Sequence, residues 1–236
     1  SVMSTGILGD TIDIHGGGAD LEFPHHTNEI AQSEAKTGKT FANYWMHNGF
    51  VNIDNVKMSK SLGNFITVHD ALKTIDGQVL RFFFATQHYR KPINFTEKAV
   101  RDAETNLKYL KNTYEQPFTG EVDPADLQGF VDKFIVAMDE DINAANGITV
   151  VFELAKWINS GHYNQDVKDA LTKMLEVFGV VFVEEVLDAD IEALIAERQE
   201  ARAKKDFARA DEIRDELAAQ GIKLLDTKEG VRWTRD

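Results

Sequence analysis

The sequence predicts an α/β segment followed by an all-α region that ends in a small α+β unit. Three patterns predict this fold class. Strand, loop and helix patterns alternate through residues 1–66, and apolar residues then recur at three- and four-residue steps, as on the buried face of a helix. After Gly221, two short runs rich in β-branched and aromatic residues flank a polar segment, which is typical of a hairpin.

The α/β segment begins with a strand pattern. Thr11–His15 alternates, and Gly16–Gly18 directly after it predicts a turn or a close approach of the backbone to a ligand. His25–Lys36 predicts a helix, because it contains no glycine or proline. Tyr44–Asp54 is rich in aromatic and β-branched residues and predicts one or two short strands, and Lys57–Asn64 predicts a polar loop.

The helical region has recognisable start signals and apolar stripes. Thr67 with Asp70 has the layout of a capping box, and Thr96 is placed to start another helix. The stripes expected to face a core are Ala99, Ala103, Leu107, Leu110 and Tyr114; Val131, Ile135, Met138 and Ile142; Val167, Leu171, Met174 and Phe178; and Phe207, Ala210, Ile213 and Leu217. They predict a helical bundle.

Composition excludes several classes of protein. The 26 Lys and Arg residues against 39 Asp and Glu give a formal charge of −13, which excludes a generally basic nucleic-acid coat. The absence of Cys excludes a disulfide framework or a thiolate metal cage built from this chain alone. The apolar run 177–183 is far shorter than the roughly 18 residues of a membrane span. A cytoplasmic location without a membrane partner is therefore predicted.

Because Ser1 is neither an initiator Met nor the start of a leader, a fragment is expected.

The positive charge is concentrated near the carboxyl end. Residues 198–236 carry ten Lys or Arg and nine Asp or Glu, although the whole chain is strongly acidic. The basic residues of this region alternate with acidic ones at helical spacing. This spacing fits a solvated face with i to i+4 ion pairs, and it also fits a face that contacts phosphates. Trp233 lies between Arg232 and Arg235, where an exposed ring would stack on an unpaired base.

Two groups of residues have the composition of binding sites. His25 and Glu29 are four residues apart on one helix face, where they suit either a surface pair or a shared Zn²⁺, although zinc needs further donors. Gly16, Gly17 and Gly18 suit either a plain turn or backbone amides facing a phosphate, with Asp20 able to bind an amine or hydroxyl.

The loop Lys57–Ser61, called the lysine loop below, has a more specific pattern than these two groups. It carries two ammonium groups, on Lys57 and Lys60, and two hydroxyls, on Ser59 and Ser61. This set suits triphosphate oxygens, where positioning and charge stabilisation supply most of the catalysis. As chemistry alone, it also fits a solvated loop.

Several ordered motifs resemble one family. Lys57–Ser61 reads KMSKS, the second signature of class I aminoacyl-tRNA synthetases. Asp13–Ser33, DIHGGGADLEFPHHTNEIAQS, closely resembles the cysteinyl-tRNA synthetases, and Tyr44–His47 fits them too. Asp206–Ala208 and Ala210–Leu217, followed by Gly230–Trp233, resemble the anticodon-side region of that family. The resemblance spans almost the whole chain. It implies the carboxyl half of a Rossmann-like class I catalytic domain, then a helical bundle and a small terminal unit.

The resemblance also implies an activity, which is ATP-dependent activation of L-cysteine to cysteinyl adenylate and transfer to the 3′ end of tRNA-Cys. Lys60, assisted by Lys57, is then expected to be catalytic, with Mg²⁺ accompanying ATP. Ser59, Ser61 and the three glycines are expected at ATP, and His15 with Asp20 at the substrate pocket. His25 and Glu29 match two of four zinc ligands, and zinc would select the cysteine thiolate over a serine hydroxyl.

The resemblance is incomplete, because two cysteine ligands of zinc and the amino-terminal His-Ile-Gly-His signature are missing. This chain alone is therefore expected to be inactive. Two alternatives remain, a non-catalytic tRNA-binding module and a cysteine ligase of mycothiol synthesis, and the anticodon-like end argues against the second. The expected domains are residues 1–66 (catalytic part with the lysine loop), 67–116 (connecting helices), 117–187 (helical bundle) and 188–236 (tRNA-binding region). The sequence predicts no oligomeric state.

Overall fold

The computed structural model describes residues 1–183, 189–227 and 230–235. The chain divides into two compact units, Ser1–Phe182 and Val183–Asp236. No helix within the described ranges is both long and apolar enough to cross a membrane. The fourfold domain division expected from the sequence stays a prediction.

The first unit carries most of the secondary structure. Its elements are α1 (Val2–Leu8), β1 (Ile12–Gly18), α2 (Thr27–Thr37), β2 (Ala42–Asn48), β3 (Val51–Ile53), β4 (Val56–Lys57), α3 (Val68–Ala71), α4 (Gly77–Ala85), β5 (Ile93–Phe95), α5 (Glu97–Tyr114), α6 (Pro124–Asp139), α7 (Ala144–Asn159) and α8 (Gln165–Val177). The α/β order followed by helices confirms the predicted fold class.

Two small sheets organise the α/β segment. Strands β1 and β2 pair in parallel, with Ile12 opposite Ala42 and Gly18 opposite Asn48. Strand β3 pairs with β4 in antiparallel and with β5 in parallel orientation. Of the two alternatives for Gly16–Gly18, the turn is wrong, because these glycines are the last three residues of β1. Pairing with β2 extends the strand through residues whose own preference is for turns, and the chain turns afterwards, at Ala19–Leu21.

Helix α2 begins later than the sequence predicts. Its first residue is Thr27, and His25 belongs to an irregular turn over Glu22–His26. Phe23 has φ −138° and ψ 132°, which is extended backbone and prevents a regular helix there. Gly38 ends the helix with φ 68°, a left-handed conformation that glycine adopts without steric cost.

Predicted caps and most apolar stripes are confirmed. Thr67 accepts a hydrogen bond from the Asp70 amide, and Thr96 accepts one from the Ala99 amide at the start of α5. The main core contains most of the α5 and α8 stripes together with residues of α4 and α7, and its fully buried members include Phe82, Leu110, Val151, Leu154, Val167 and Leu171.

Only part of the stripe predicted on α6 is confirmed, since two of its four residues pack against the core. Ile135, in the expected stripe, is half exposed, and so is Ile142 in the connection after the helix. Phe134 and Ala137 are buried instead. Apolar residues surround much of α6, so sequence periodicity does not single out the face that packs against α7.

A charged contact joins the helical region to the segment before β5. Asp141, between α6 and α7, accepts hydrogen bonds from the Tyr89 hydroxyl at 2.6 Å and from Arg90 Nη2 at 3.0 Å. The Arg90 guanidinium and the Tyr89 hydroxyl lower the pKa of Asp141 to about 2. Tyr89 also fixes the turn between β2 and β3, because its carbonyl accepts from the Gly49 amide at 2.7 Å.

Gly49→Ala is expected to destabilise the chain by about 1–3 kcal/mol, the usual range for overpacking. A Cβ at this position would lie 2.3 Å from the Lys91 carbonyl carbon and 2.6 Å from the Pro92 nitrogen, so backbone must move. Denaturant unfolding of the variant measures the effect. Gly129→Ala is the matched control, because a Cβ there meets nothing within 4 Å and alanine favours helix α6. Equal stability of the two variants would contradict the tight packing at Gly49.

The described residues of the second unit form two helices and a hairpin that pack around a small core. Its elements are α9 (Ala189–Ala203), α10 (Phe207–Ala219), β6 (Ile222–Thr227) and β7 (Gly230–Arg235). Strands β6 and β7 pair in antiparallel orientation, which confirms the predicted hairpin. The buried residues of this core are Ile191, Ile213, Leu217 and Ile222. Phe207 was expected in the apolar stripe of α10 but is exposed. The side chains of Arg232, Trp233 and Arg235 lie outside the described residues.

Candidate active site

Three potential metal donors converge where β1 meets α2. In the described part of the chain, His15, His26 and Glu29 each offer one ligand atom, and these atoms lie within 4.8 Å of one another. His15 Nε2 is 2.8 Å from Glu29 Oε2. Strand β1 presents His15, and the first turn of α2 presents Glu29. The sequence predicted both residues but placed them in different sites, and the structure brings them together.

The Glu29 carboxylate is ionised and incompletely bonded. Burial raises its pKa, but the Ser1 ammonium and the nearby His15 and His25 outweigh burial and hold this pKa below its usual value. Oε1 accepts from the Ser1 nitrogen at 3.1 Å. Oε2 is buried and forms no hydrogen bond with the described residues, although His15 Nε2 lies 2.8 Å from it. A buried anionic oxygen without such a partner fits a metal ligand.

His25 lies at the edge of this cluster. Its Nε2 is 3.8 Å from Glu29 Oε2, and its side chain is 60% exposed. The pair predicted from the i to i+4 spacing is therefore adjacent, while the tighter contact to Glu29 comes from His15. A small rotation of the exposed His25 ring is sterically easier than movement of a buried ring, so the arrangement is compatible with either histidine as a donor beside Glu29.

An aromatic array supports the cluster from β2. His26 is 3% exposed, and its Nδ1 is 2.8 Å from His47 Nε2 in a shared hydrogen bond. Burial lowers the pKa of His26, and repulsion from His15 and His47 lowers it further, so the ring is neutral near pH 7. Trp45 lies 4.8 Å from the His15 ring and is nearly parallel to His47. These contacts fix the orientation of the donor rings.

Strand β1 ends in Gly16–Gly18 and is called the glycine strand below. Asp20 lies in the turn that directly follows it. A Cβ on Gly17 would lie 2.9 Å from His26 Cε1, and one on Gly18 would lie 2.5 Å from Asp20 Oδ1. Glycine at these positions thus leaves room for the buried His26 ring and for a carboxylate folded back toward the strand. The Asp20 side chain is about half exposed and is directed toward the lysine loop.

The lysine loop is closed by a residue that sequence reasoning missed. Asn64 Oδ1 accepts from the Ser59 amide at 2.9 Å, and Asn64 Nδ2 donates to the Lys57 carbonyl at 3.2 Å. The hydroxyls of Ser59 and Ser61 are 3.2 Å apart. An asparagine after Gly63 is typical of a turn, which is the signal available in the sequence.

The two lysines of the loop take different positions. Lys57 Nζ is 3.7 Å from Asp20 Oδ2 and 3.7 Å from the centroid of the Phe50 ring. Lys60 Nζ lies over Phe65, 5.5 Å from the ring centroid. Lys57 therefore connects the loop to the end of the glycine strand, and Lys60 stays on the loop itself. A cation beside this strand and a second one on the adjacent loop are suited to an anionic, phosphate-bearing substrate.

Three family models match the chain. Residues 1–105 match the class I (C) catalytic domain of tRNA synthetases, residues 133–184 the DALR domain, and residues 184–233 the anticodon binding domain of cysteinyl-tRNA ligase. The first match contains the lysine loop and the donor cluster, which consists of His15, His26 and Glu29. The third contains nearly all of the second compact unit.

Curated relatives match along the whole chain. It is 86% identical to a cysteine–tRNA ligase of Streptococcus pneumoniae and 82% identical to one of Streptococcus mutans, over 236 residues in each case. These alignments cover 100% of this chain and 53% of each relative. The chain spans about half the length of the curated relatives it matches.

Solved structures share the fold at low sequence identity. The chain resembles a LeuRS from Agrobacterium radiobacter in a ternary complex with tRNA and LeuAMS (TM-score 0.53, 17% identity, 70% of this chain and 25% of that one). It also resembles Mycobacterium tuberculosis methionyl-tRNA synthetase in complex with methionyl-adenylate (TM-score 0.51, 15% identity, 70% and 40%). At these identities the likeness shows the fold alone, that of class I synthetase catalytic domains.

Proposed function

The chain belongs to the cysteinyl-tRNA synthetase family, and from this premise we propose that it contributes the lysine loop, part of the zinc site and the tRNA-reading unit of a cysteine–tRNA ligase. The complete enzyme activates L-cysteine with ATP and Mg²⁺ to cysteinyl adenylate. It then transfers the cysteinyl group to the 3′ end of tRNA-Cys. Because two zinc ligands and the amino-terminal signature of the family are absent from this sequence, we expect no activity from this chain alone.

The observation that carries the proposal is the approach of the lysine loop to the glycine strand. Lys57 Nζ and Asp20 Oδ2 are 3.7 Å apart although their positions in the sequence differ by 37, so the proposed phosphate-binding cation lies beside the proposed amine-binding acid. Adenylate formation requires the amino acid carboxylate to meet the α-phosphate of ATP. A site that holds the substrate ammonium at Asp20 and the phosphates at the loop supplies that proximity.

The individual roles are those that the family resemblance implies, and the chemistry of the side chains supports them. Lys60 stabilises the charge that develops on the departing pyrophosphate, and Lys57 assists it. Ser59, Ser61 and the backbone of Gly16, Gly17 and Gly18 contact ATP. Asp20 accepts the ammonium of cysteine, and His15 borders the pocket of its side chain. Closure of the loop over ATP excludes water, which would otherwise hydrolyse the adenylate.

His25 and Glu29 would hold Zn²⁺ together with two cysteines that lie outside this sequence. The buried, incompletely bonded Glu29 Oε2 supports this assignment. The Ser1 nitrogen lies 3.1 Å from Glu29 Oε1, so a cysteine joined to it in a longer polypeptide would stand beside this carboxylate. When bound, zinc supplies a site for the substrate thiolate, and a serine hydroxyl is a poor ligand there. His26, held by His47, orients the surrounding rings.

The test of the proposal is cysteine-dependent exchange between ATP and pyrophosphate by the full-length enzyme, followed by charging of tRNA-Cys. Exchange with charging is the expected result. Exchange without charging would favour a cysteine ligase with another acceptor, such as an amino sugar. Binding of tRNA without any exchange would indicate a non-catalytic module and would contradict the proposed reaction.

Removal of residues 183–236 from the full-length enzyme is expected to lower tRNA charging by about tenfold or more, because the unit that contacts tRNA is lost. Cysteine-dependent exchange is expected to stay within about twofold of the parent enzyme, because the lysine loop belongs to the other compact unit. The cut follows the unit boundary, since a cut at residue 198 would divide α9. Equal loss of both activities would show that the unit is needed for the catalytic fold.

A further inference from the structure

The Lys57 ammonium is held at two points. It lies 3.7 Å from the centroid of the Phe50 ring and 3.7 Å from Asp20 Oδ2. The side chains of Lys57 and Asp20 are each 53% exposed, and an exposed ion pair fixes a flexible lysine only weakly. The aromatic face adds an attraction to the cation that does not depend on a carboxylate, so it holds Lys57 also when a substrate ammonium occupies Asp20.

Phe50 is itself fixed by its backbone. The Phe50 carbonyl accepts from the Ile93 amide at 2.9 Å, and the preceding Gly49 amide donates to the Tyr89 carbonyl at 2.7 Å. A Cβ on Gly49 would lie 2.3 Å from the backbone of Lys91, so this turn packs closely against the segment before β5. The segment that carries Lys57 is anchored to β3 as well, because the Met58 amide donates to the Val51 carbonyl at 2.9 Å. The ring and the lysine therefore face each other across a bonded hairpin.

We propose that Phe50 is a positioning residue of the adenylation step, whose ring seats the Lys57 ammonium at the border of the substrate pocket. This inference rests on the proposed function of the lysine loop. Phe50 acts through Lys57 and does not itself contact the reacting atoms. Without the ring, Lys57 has more rotamers available, and a smaller fraction of enzyme molecules presents the ammonium to the phosphates of ATP.

A fluorination series in the full-length enzyme tests the aromatic seat. Replacement of Phe50 by mono-, di- and trifluorophenylalanine keeps the ring shape but progressively weakens the attraction of its face for a cation. We expect kcat/KM for ATP in the exchange reaction to fall stepwise, by about two- to fivefold in total, with an unchanged KM for cysteine. The same series at Phe118 is the matched control, because this half-exposed ring packs edge-on against Tyr163 in the helical region. A flat response at Phe50 would overturn the inference.

A double-mutant cycle separates positioning from packing. Phe50→Leu is expected to lower kcat/KM for ATP about two- to fivefold in the parent enzyme and to have no further effect in the Lys57→Met background. An equal loss in both backgrounds would overturn the role of Phe50 while leaving the proposed role of Lys57 intact. If Lys57→Met alone leaves the exchange rate unchanged, the proposed function of Lys57 fails, and the inference about Phe50 fails with it.

Discussion

Lys60→Ala in the full-length enzyme is expected to slow cysteine-dependent ATP–pyrophosphate exchange by about a hundredfold or more, the usual consequence of removing one preorganised charge from a transition state. The lysine is exposed on a loop whose shape is maintained by Asn64, so the substitution removes a charge without disturbing the core. Lys60 Nζ lies over the Phe65 ring, whereas Lys57 is the loop lysine beside Asp20, so KM for cysteine is expected to change by less than about twofold. Steady-state exchange kinetics with varied ATP and varied cysteine measure both parameters.

The matched control is Lys73→Ala. Lys73 is also an exposed lysine near the end of a short helical segment, where it pairs with Asp70 at 2.7 Å, and it lies outside the loop. Its loss is expected to leave exchange unchanged. A Lys60→Ala enzyme with nearly the parent rate would contradict the role of this residue in pyrophosphate departure. A matching rise in KM for cysteine would instead place Lys60 at the amino acid.

Glu29→Gln in the full-length enzyme is expected to weaken zinc binding by about tenfold or more, because an uncharged amide oxygen replaces an ionised ligand. A glutamate carboxylate is ordinarily ionised at neutral pH, as zinc binding requires, and the nearby His15 and His25 favour this charged form of Glu29. Zinc content after dialysis against a competing chelator measures the change without relying on activity. Discrimination between cysteine and serine in the exchange reaction is expected to fall in parallel.

Two histidine variants decide which ring accompanies Glu29. The proposed assignment predicts that His25→Ala loses zinc as Glu29→Gln does, while His15→Ala retains it. The opposite result would assign the ligand to His15, which lies 2.8 Å from the Glu29 carboxylate. His69→Ala and Glu97→Gln, both at exposed positions outside the cluster, are the matched controls. Full zinc affinity in Glu29→Gln would contradict the proposed metal site.

Local chemistry allowed much of the fold to be predicted. Thr96 caps α5 because its hydroxyl can reach an amide three residues ahead, and the α8 stripe is buried because its spacing places it on one helix face. The hairpin after Gly221 follows equally from two β-rich runs and the polar segment between them. The lysine loop is also readable in sequence, since its residue types and their order lie within one short segment.

What the tertiary structure decided depends on contacts between distant residues. Pairing with β2 keeps Gly16–Gly18 in a strand, against their local preference for a turn. Packing against α7 selects the buried face of α6, because Ile135 and Phe134 are equally apolar in sequence. The meeting of His15 with Glu29, and of Lys57 with Asp20 and Phe50, required the folded backbone. The sequence by itself thus determined local elements and the chemical types of the site, whereas the fold determined which of them touch, because strand pairing and packing act between segments that local periodicity does not relate.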